Sequence, residues 1–327
     1  MSVKEEIIKV FEKNRGEYLS GNDIAEALGI SRTAVWKNIK NLISEGYRIE
    51  SAGNRGYVMK TDTDVLSAAG AEKYLKDFEG VIRLEIYDTV TSTNDVLKER
   101  AGEGAAEGLA AAAAYQSGGR GRMGRRFESP KNSGLYFSLL LRPEIPLEET
   151  TLLTVAAAVA VCRGVESISD IKPVIKWVND VYVDGKKAAG ILTEAAFNGE
   201  MNSLDYVIVG IGMNMYLPEG GFKGELRDKA GCFFEKPVED CRNRLLAAVL
   251  KEFWSIYANF SDKSFVDEYR ERSFVKGREI VVSGKGISRS AKALDIDSSC
   301  RLKVEYDDGT QEYLNSGEIS IKPVFKE

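Results

Sequence analysis

Tyr115-Gln-Ser-Gly-Gly-Arg-Gly-Arg-Met-Gly-Arg-Arg-Phe127 sets Arg120, Arg122, Arg125 and Arg126 among Gly118, Gly119, Gly121 and Gly124. Within it, Gly119-Arg-Gly-Arg-Met-Gly124 is a literal G-x-G-x-x-G, so its reading decides the fold. A dinucleotide fingerprint needs a strand before it, a helix opening inside it and an acidic residue ending a second strand. The alanine-rich run Leu109–Tyr115 is a candidate strand. Downstream, however, Phe127 leads into Ser129-Pro130-Lys-Asn-Ser-Gly134, which is turn chemistry rather than an amphipathic helix. No acidic residue follows at the required place, and the doubly wound dinucleotide fold is set aside. Four guanidiniums repel one another, and glycines lose conformational freedom on ordering. Arginine forks and closely approaching glycine amides suit a phosphate. The stretch reads as a loop closing over a phosphate-bearing ligand, with a solvated basic loop as the competing reading.

Working outward, the first sixty residues read as a small separate domain. Val3, Ile7, Val10 and Phe11 form a helical face. Ser20 and Asn22 are candidate caps for a helix over Asp23–Leu28 that Gly29 ends. Ser31 caps a third helix, Arg32–Ser44, whose inner face holds Val35, Ile39, Leu42 and Ile43. Tyr47–Glu50 and Tyr57–Lys60 form a hairpin wing. This order predicts a winged helix-turn-helix over residues 1–62. Its candidate DNA-binding residues are Ser31, Arg32, Thr33 and Lys37 on the third helix, with Lys40 beside them and Arg55 at the wing tip. Met1–Lys60 carries ten Lys/Arg against eight Asp/Glu, a net +2 in a chain of net −5. A winged helix used for protein contacts is the competing reading.

Thr61–Leu66 is a polar linker. Residues 67–274 mix strands (Val81–Tyr87, Leu135–Leu141, Val174–Val178, Asp180–Val183, Ala188–Glu194, Asp205–Met213) with helices (Ser92–Arg100, Thr151–Val165, Glu239–Phe260, Ser264–Glu271). Asp184-Gly185 and Asn198-Gly199 mark hairpin turns. This is a mixed α/β central domain of α+β type with a mostly antiparallel or mixed sheet. Residues 275–327 hold five short strands separated by turns such as Gly284-Lys-Gly286 and Asp308-Gly309, the pattern of a small β-barrel.

Composition narrows the chemistry. Histidine is absent from all 327 residues, which removes Ser-His and Cys-His mechanisms and most zinc enzymes. The four cysteines are scattered without a C-x-x-C pair, which suits a reducing cytoplasm. There is no signal-peptide core and no apolar run long enough to span a membrane, so no membrane association is expected.

Three further motifs carry chemistry. Lys176-Trp-Val-Asn-Asp180 runs an apolar strand into Asn179 and Asp180, which can orient a ligand or a hydrated magnesium ion; a plain Asn-Asp turn competes. Lys187 precedes a strand of small and apolar residues and can point into a pocket. Gly210 and Gly212 interrupt an apolar strand, as a closely approaching ligand or a β-bulge would require. Thr91-Ser-Thr-Asn94 caps a helix with more hydroxyls than capping uses, and helix N-termini leave donors free for a small polar ligand.

Together these motifs resemble the biotin protein ligases, specifically the bifunctional type that is also the biotin operon repressor. The resemblance spans the chain and is carried by Gln116, Gly119–Arg125, Lys176–Asp180, Lys187 and Ser92-Thr93-Asn94. It implies a winged helix, a ligase domain and a C-terminal SH3-like barrel. It implies ATP-dependent formation of biotinyl-5′-AMP with magnesium, then transfer of biotin to a lysine of a biotin carboxyl carrier protein. Ser92, Thr93, Asn94, Gln116, Arg120, Gly121, Arg122, Lys187, Gly210 and Gly212 would bind biotin. Arg122, Arg125, Phe127, Lys176, Asn179, Asp180 and Asn214 would serve the adenylate. Arg120, Lys187 and Asp180 would be catalytic, with Asp180 also offered to Mg2+. A loop disordered until ligand binds, homodimerisation with adenylate bound, and operator DNA binding are implied as well. Val178 stands where proline is usual, Phe127 where tryptophan is, and Met123 where some members carry arginine. The competing function is a biotin-sensing repressor without ligase activity.

Overall fold

A computed structural model of the chain describes residues 2–199, 203–284, 287–315 and 317–321. The N-terminal unit runs α1 (Val3–Lys13), β1 (Tyr18–Leu19), α2 (Gly21–Leu28), α3 (Arg32–Ser44), β2 (Ile49–Ser51) and β3 (Tyr57–Met59). Ser2 and Glu5 form a reciprocal capping box on α1. Ser31 Oγ accepts from Ala34 N at 3.1 Å, and Gly29 ends α2 at φ 64°. Ile7, Phe11, Ile24, Val35, Ile39 and Leu42 form the core, but Ile43 lies outside it, 48% exposed. The wing sheet has three strands, because Tyr18–Leu19 pairs with β3; two residues are too few for a periodic signal.

The central unit contains α4 (Ala68–Glu72), β4 (Arg83–Val90), α5 (Thr93–Gly102), β5 (Leu109–Gln116), β6 (Gly134–Leu141), α6 (Thr150–Glu166), β7 (Val174–Lys176), β8 (Asp180–Val183), β9 (Lys186–Asn198), β10 (Ser203–Asn214), α7 (Leu226–Lys229), α8 (Cys241–Ala258) and α9 (Ser264–Arg272). Its seven strands lie in the order β4-β5-β6-β10-β9-β8-β7; β4 and β5 are parallel and the rest antiparallel. Strand alternation assigns the faces. Ala110, Ala112, Leu139, Leu141, Val207 and Val209 join the core with α6 and α8, whereas Ala111, Leu140 and Ile208 meet Leu97 and Ala101 of α5. Asp184 and Gly185, at φ 49° and 74°, make the tight β8–β9 turn.

Five antiparallel strands follow: β11 (Glu279–Gly284), β12 (Ile287–Ile296), β13 (Leu302–Tyr306), β14 (Gln311–Leu314) and β15 (Glu318–Ile321), in the order β14-β13-β12-β11-β15. The expected SH3-like barrel is an open sheet here: among the described residues no ladder joins β14 to β15. The turn expected at Gly284-Lys-Gly286 lies partly outside the described residues. Ile280, Ala291, Leu302 and Val304 share the core of the central unit, and Trp177 donates from Nε1 to Cys300 O at 2.8 Å. The Trp177–Val178 peptide is cis.

A buried charge cluster ties the winged helix to the central unit. Arg15 Nη2 lies 2.7 Å from Glu12 and 2.9 Å from Asp240, and Lys73 Nζ lies 2.7 Å and 2.6 Å from the same carboxylates. Two cations thus face two anions across three segments. Burial would raise the Glu12 carboxyl, but hydrogen bonds from Arg15 and Lys73 outweigh it and hold it below the ordinary 4.5. With the folded value below the unfolded one, Glu12 contributes stability above pH 4.5 that disappears as pH falls through the folded value. Urea midpoints should therefore drop on acidification below that point, and Glu12→Gln should flatten the dependence.

Candidate functional site

The N-terminus of α5, the end of β5, the arginine loop and the facing stretches of β9 and β10 enclose one cavity. The buried residues Ser92, Thr93, Asn94, Gln116 and Gly210 line its inner end, and Arg120, Gly121, Arg122, Phe127, Asn179, Lys187 and Gly212 line the rest. Gly190, Ile191 and Leu192, from the strand that follows Lys187, also line it, as does Phe137, which carries no sequence signal beyond being a strand residue.

The inner end is a buried polar network. Ser92 is the N-cap residue of α5 but makes no side-chain capping bond. Gln116 Oε1 instead accepts from Thr93 N at 2.8 Å, so a strand residue satisfies one of the free helix donors. Gln116 Nε2 donates to Ser129 Oγ at 3.0 Å, and the hydroxyls of Thr93 and Ser138 meet at 2.7 Å. Asn94 accepts from Ser138 Oγ at 2.5 Å and donates to Glu194 Oε2 at 2.6 Å. Thr93 and Asn94 are each under 5% exposed with their side-chain polar atoms partnered, which fixes their orientation.

The arginine loop is folded upon itself. Gly121 N donates to Arg125 O at 2.7 Å and Phe127 N to Gly119 O at 2.9 Å, around a short turn at Arg122–Gly124 with Met123 at φ 56°. Its charges have internal partners, which the sequence reading did not anticipate. Arg120 grips both oxygens of Asp95, at 2.7 Å each, and reaches Glu194 at 3.2 Å. The hydrogen bond from Asp95 heads the causes that raise the guanidinium above its ordinary value. Burial would raise the Glu194 carboxyl, yet Lys98 and Asn94 hold it below 4.5. Arg122 donates to Asn179 Oδ1 at 3.1 Å.

The two glycines of β10 make regular pairs with β6 and β9, so the β-bulge reading fails at that place. What approaches them is the protein itself. A Cβ at Gly210 would stand 2.2 Å from Asn94 Oδ1, and one at Gly212 would stand 2.6 Å from the Phe127 ring. A bulge does occur at Val181/Tyr182 opposite Lys187. Bulges re-aim side chains, and Lys187 Nζ sits 2.6 Å from Asp180 Oδ1 while lining the cavity.

Arg125, Lys176, Asp180 and Asn214 are not among the lining residues. Arg125 is exposed, Lys176 lies 5.9 Å from the Tyr182 ring centroid, and Asn214 Nδ2 donates to Gly231 O at 3.0 Å. On the winged helix, Ser31, Arg32, Thr33, Lys37 and Arg55 are all exposed; Arg55 lies over Tyr18 at 4.2 Å. Exposed Trp36, with Lys40 at 4.4 Å from its ring, shares this helix surface.

Three family profiles match in chain order. They are an HTH domain over residues 3–58, the biotin/lipoate A/B protein ligase family over residues 86–214, and the biotin protein ligase C-terminal domain over residues 277–322. Fold and matches together define a ligase fused to a helix-turn-helix unit. The bifunctional ligase/repressor BirA of Bacillus subtilis is 34% identical over 324 residues, covering 98% of this chain and 99% of that protein. The biotin protein ligase of Aquifex aeolicus, solved with biotin and ATP, superposes with a TM-score of 0.61 at 30% identity, covering 73% of this chain and 98% of that one. The chain belongs to the biotin protein ligases, in their bifunctional ligase/repressor form.

Proposed function

We propose that the chain joins biotin to ATP in this cavity, transfers the biotinyl group to a lysine of a biotin carboxyl carrier protein, and represses transcription by binding operator DNA. The observation that carries the reading is the convergence of Arg120, Arg122 and Lys187 on one cavity whose inner end is a buried, oriented polar network.

In the first step a biotin carboxylate oxygen bonds to the α-phosphorus of ATP and the bond to the β-phosphate oxygen breaks, releasing pyrophosphate. Both reactants are anionic, so repulsion is the obstacle. Arg120, Arg122 and Lys187 offset it with charged donors. Ser92, Thr93, Asn94 and Gln116 match a ureido ring, which has both donors and an acceptor. Gly210 and Gly212 let Asn94 and Phe127 seat closely against the cavity wall. Phe127 stacks on adenine, with Arg125, Lys176, Asn179 and Asn214 on the adenylate side. In the second step the carrier amine attacks the acyl carbon, AMP leaves, and the amine's proton passes to solvent. The closed loop shields the anhydride from water.

Among the described residues no cluster of three metal-ligating side chains exists, and Asp180 is engaged by Lys187. These residues suit magnesium carried on the phosphates, with Asp180 as one protein ligand, rather than a cation caged by protein. Magnesium bound there would neutralise phosphate charge.

Exposed Arg32, Thr33 and Lys37 on α3, Ser31 at its cap and Arg55 on the wing support DNA binding. Homodimerisation with adenylate bound would present two winged helices to a two-part operator. No helix among the described residues is long and apolar enough to cross a membrane; with four free cysteines this supports a cytoplasmic location.

The purified chain should biotinylate one lysine of a carrier domain only when biotin, ATP and magnesium are all present. Operator affinity that responds to biotin without any transfer would leave the sensing repressor as the function. Gly210→Ala should weaken biotin binding about tenfold or more, roughly 1.4 kcal/mol, by dislodging Asn94; calorimetric titration checks this.

A further inference from the structure

Arg120 lines the cavity, yet both oxygens of Asp95, in the first turn of α5, grip it at 2.7 Å. Asp95 and Glu194 are not equivalent partners. Glu194 lies 2.7 Å from Lys98 and 2.6 Å from Asn94 Nδ2, so its charge is neutralised and its place fixed without Arg120. Asp95 has no such second cation within reach in the described contacts, and it stands beside the cavity with its side chain 38% exposed. A carboxylate gripping a cavity arginine in both forks resembles, in chemistry, a ligand carboxylate in the same grip. We propose that Asp95 is a positioning residue, an internal stand-in for the ligand's anion that parks Arg120 beside the cavity and must be displaced when a carboxylate-bearing ligand binds. The proposal rests on the reading that Arg120 meets the biotin carboxylate.

The geometry favours exchange. The pair is about one-third exposed on both sides, so solvent weakens it, and a carboxylate entering the cavity can replace it. Glu194, 3.2 Å away, keeps the guanidinium near the cavity during the exchange. Asp95 therefore lowers affinity for an anionic ligand while keeping Arg120 ordered in its absence.

The test compares biotin with its alcohol analogue, which has the same rings and chain but no carboxylate, in calorimetric titrations of the full chain. Asp95→Asn should tighten biotin about two- to fivefold, the range for relief of a partly exposed charged pair. It should leave the alcohol analogue unchanged, and Asp95→Glu should bind both ligands as the native chain does. A purely structural role would move both ligands together, so Asp95→Asn weakening both, or leaving biotin unchanged, overturns the proposal. The underlying site reading fails separately: Arg120→Ala would then leave the biotin-to-alcohol affinity ratio at its native value.

Discussion

Lys187→Ala should lower biotin-dependent pyrophosphate exchange by about 10²–10³-fold, the usual cost of removing one preorganised charged donor from a developing anionic centre. The bulge opposite Lys187 aims its ammonium at the cavity, and Asp180 holds it there at 2.6 Å. The loss should fall mainly on kcat, because the interaction strengthens as charge builds at the phosphate. Stability should change little. The Asp180 side chain is 18% exposed, and with Lys187 gone it can draw in water. Lys187→Arg should not restore the rate, because a broad planar guanidinium cannot take the place of the compact ammonium seated 2.6 Å from Asp180 Oδ1. Exchange and substrate-saturation curves on both variants check this.

Asp240→Ala carries the largest expected effect on stability. Asp240 is 1% exposed; its Oδ1 faces Arg15, and its Oδ2 faces Lys73 and also accepts from Tyr74 Oη at 2.8 Å. Removing one member of a buried ion cluster leaves charge uncompensated and costs about 3–5 kcal/mol. The loss falls on the junction between winged helix and ligase sheet, so unfolding should separate into two transitions, the first belonging to residues of α1–α3. Denaturation followed by calorimetry, with limited proteolysis at Thr61–Leu66, reads this directly. A single unshifted transition would mean the cluster does not hold the junction.

Much of this was legible because the signals are local. Ser31 before an apolar period of 3.6, and Asp184-Gly185 between strands, act through neighbours along the chain. Absence of a helix after Gly124 excluded the dinucleotide fold for the same reason. What stayed hidden depends on residues distant in sequence. Asp95 is an ordinary first-turn acid until the fold brings Arg120 to it, and Glu194 an ordinary strand residue until Asn94 and Lys98 reach across. Gly210 and Gly212 signalled close approach correctly, but the approaching atoms belong to Asn94 and Phe127. Trp177 sits in a motif that reads as ligand binding; its indole instead ties the C-terminal sheet to the ligase core. Five short strands imply a barrel, but strand count says nothing about closure, and the C-terminal sheet is open.

The central claim is that one cavity, beneath the arginine loop, activates biotin with ATP. Exchange of labelled pyrophosphate into ATP, measured with and without biotin for the native chain and Arg120→Ala, tests it most directly. The account predicts exchange that requires biotin in the native chain, and free adenylate escaping from the variant. Exchange that ignores biotin, or none at any magnesium concentration, would contradict it.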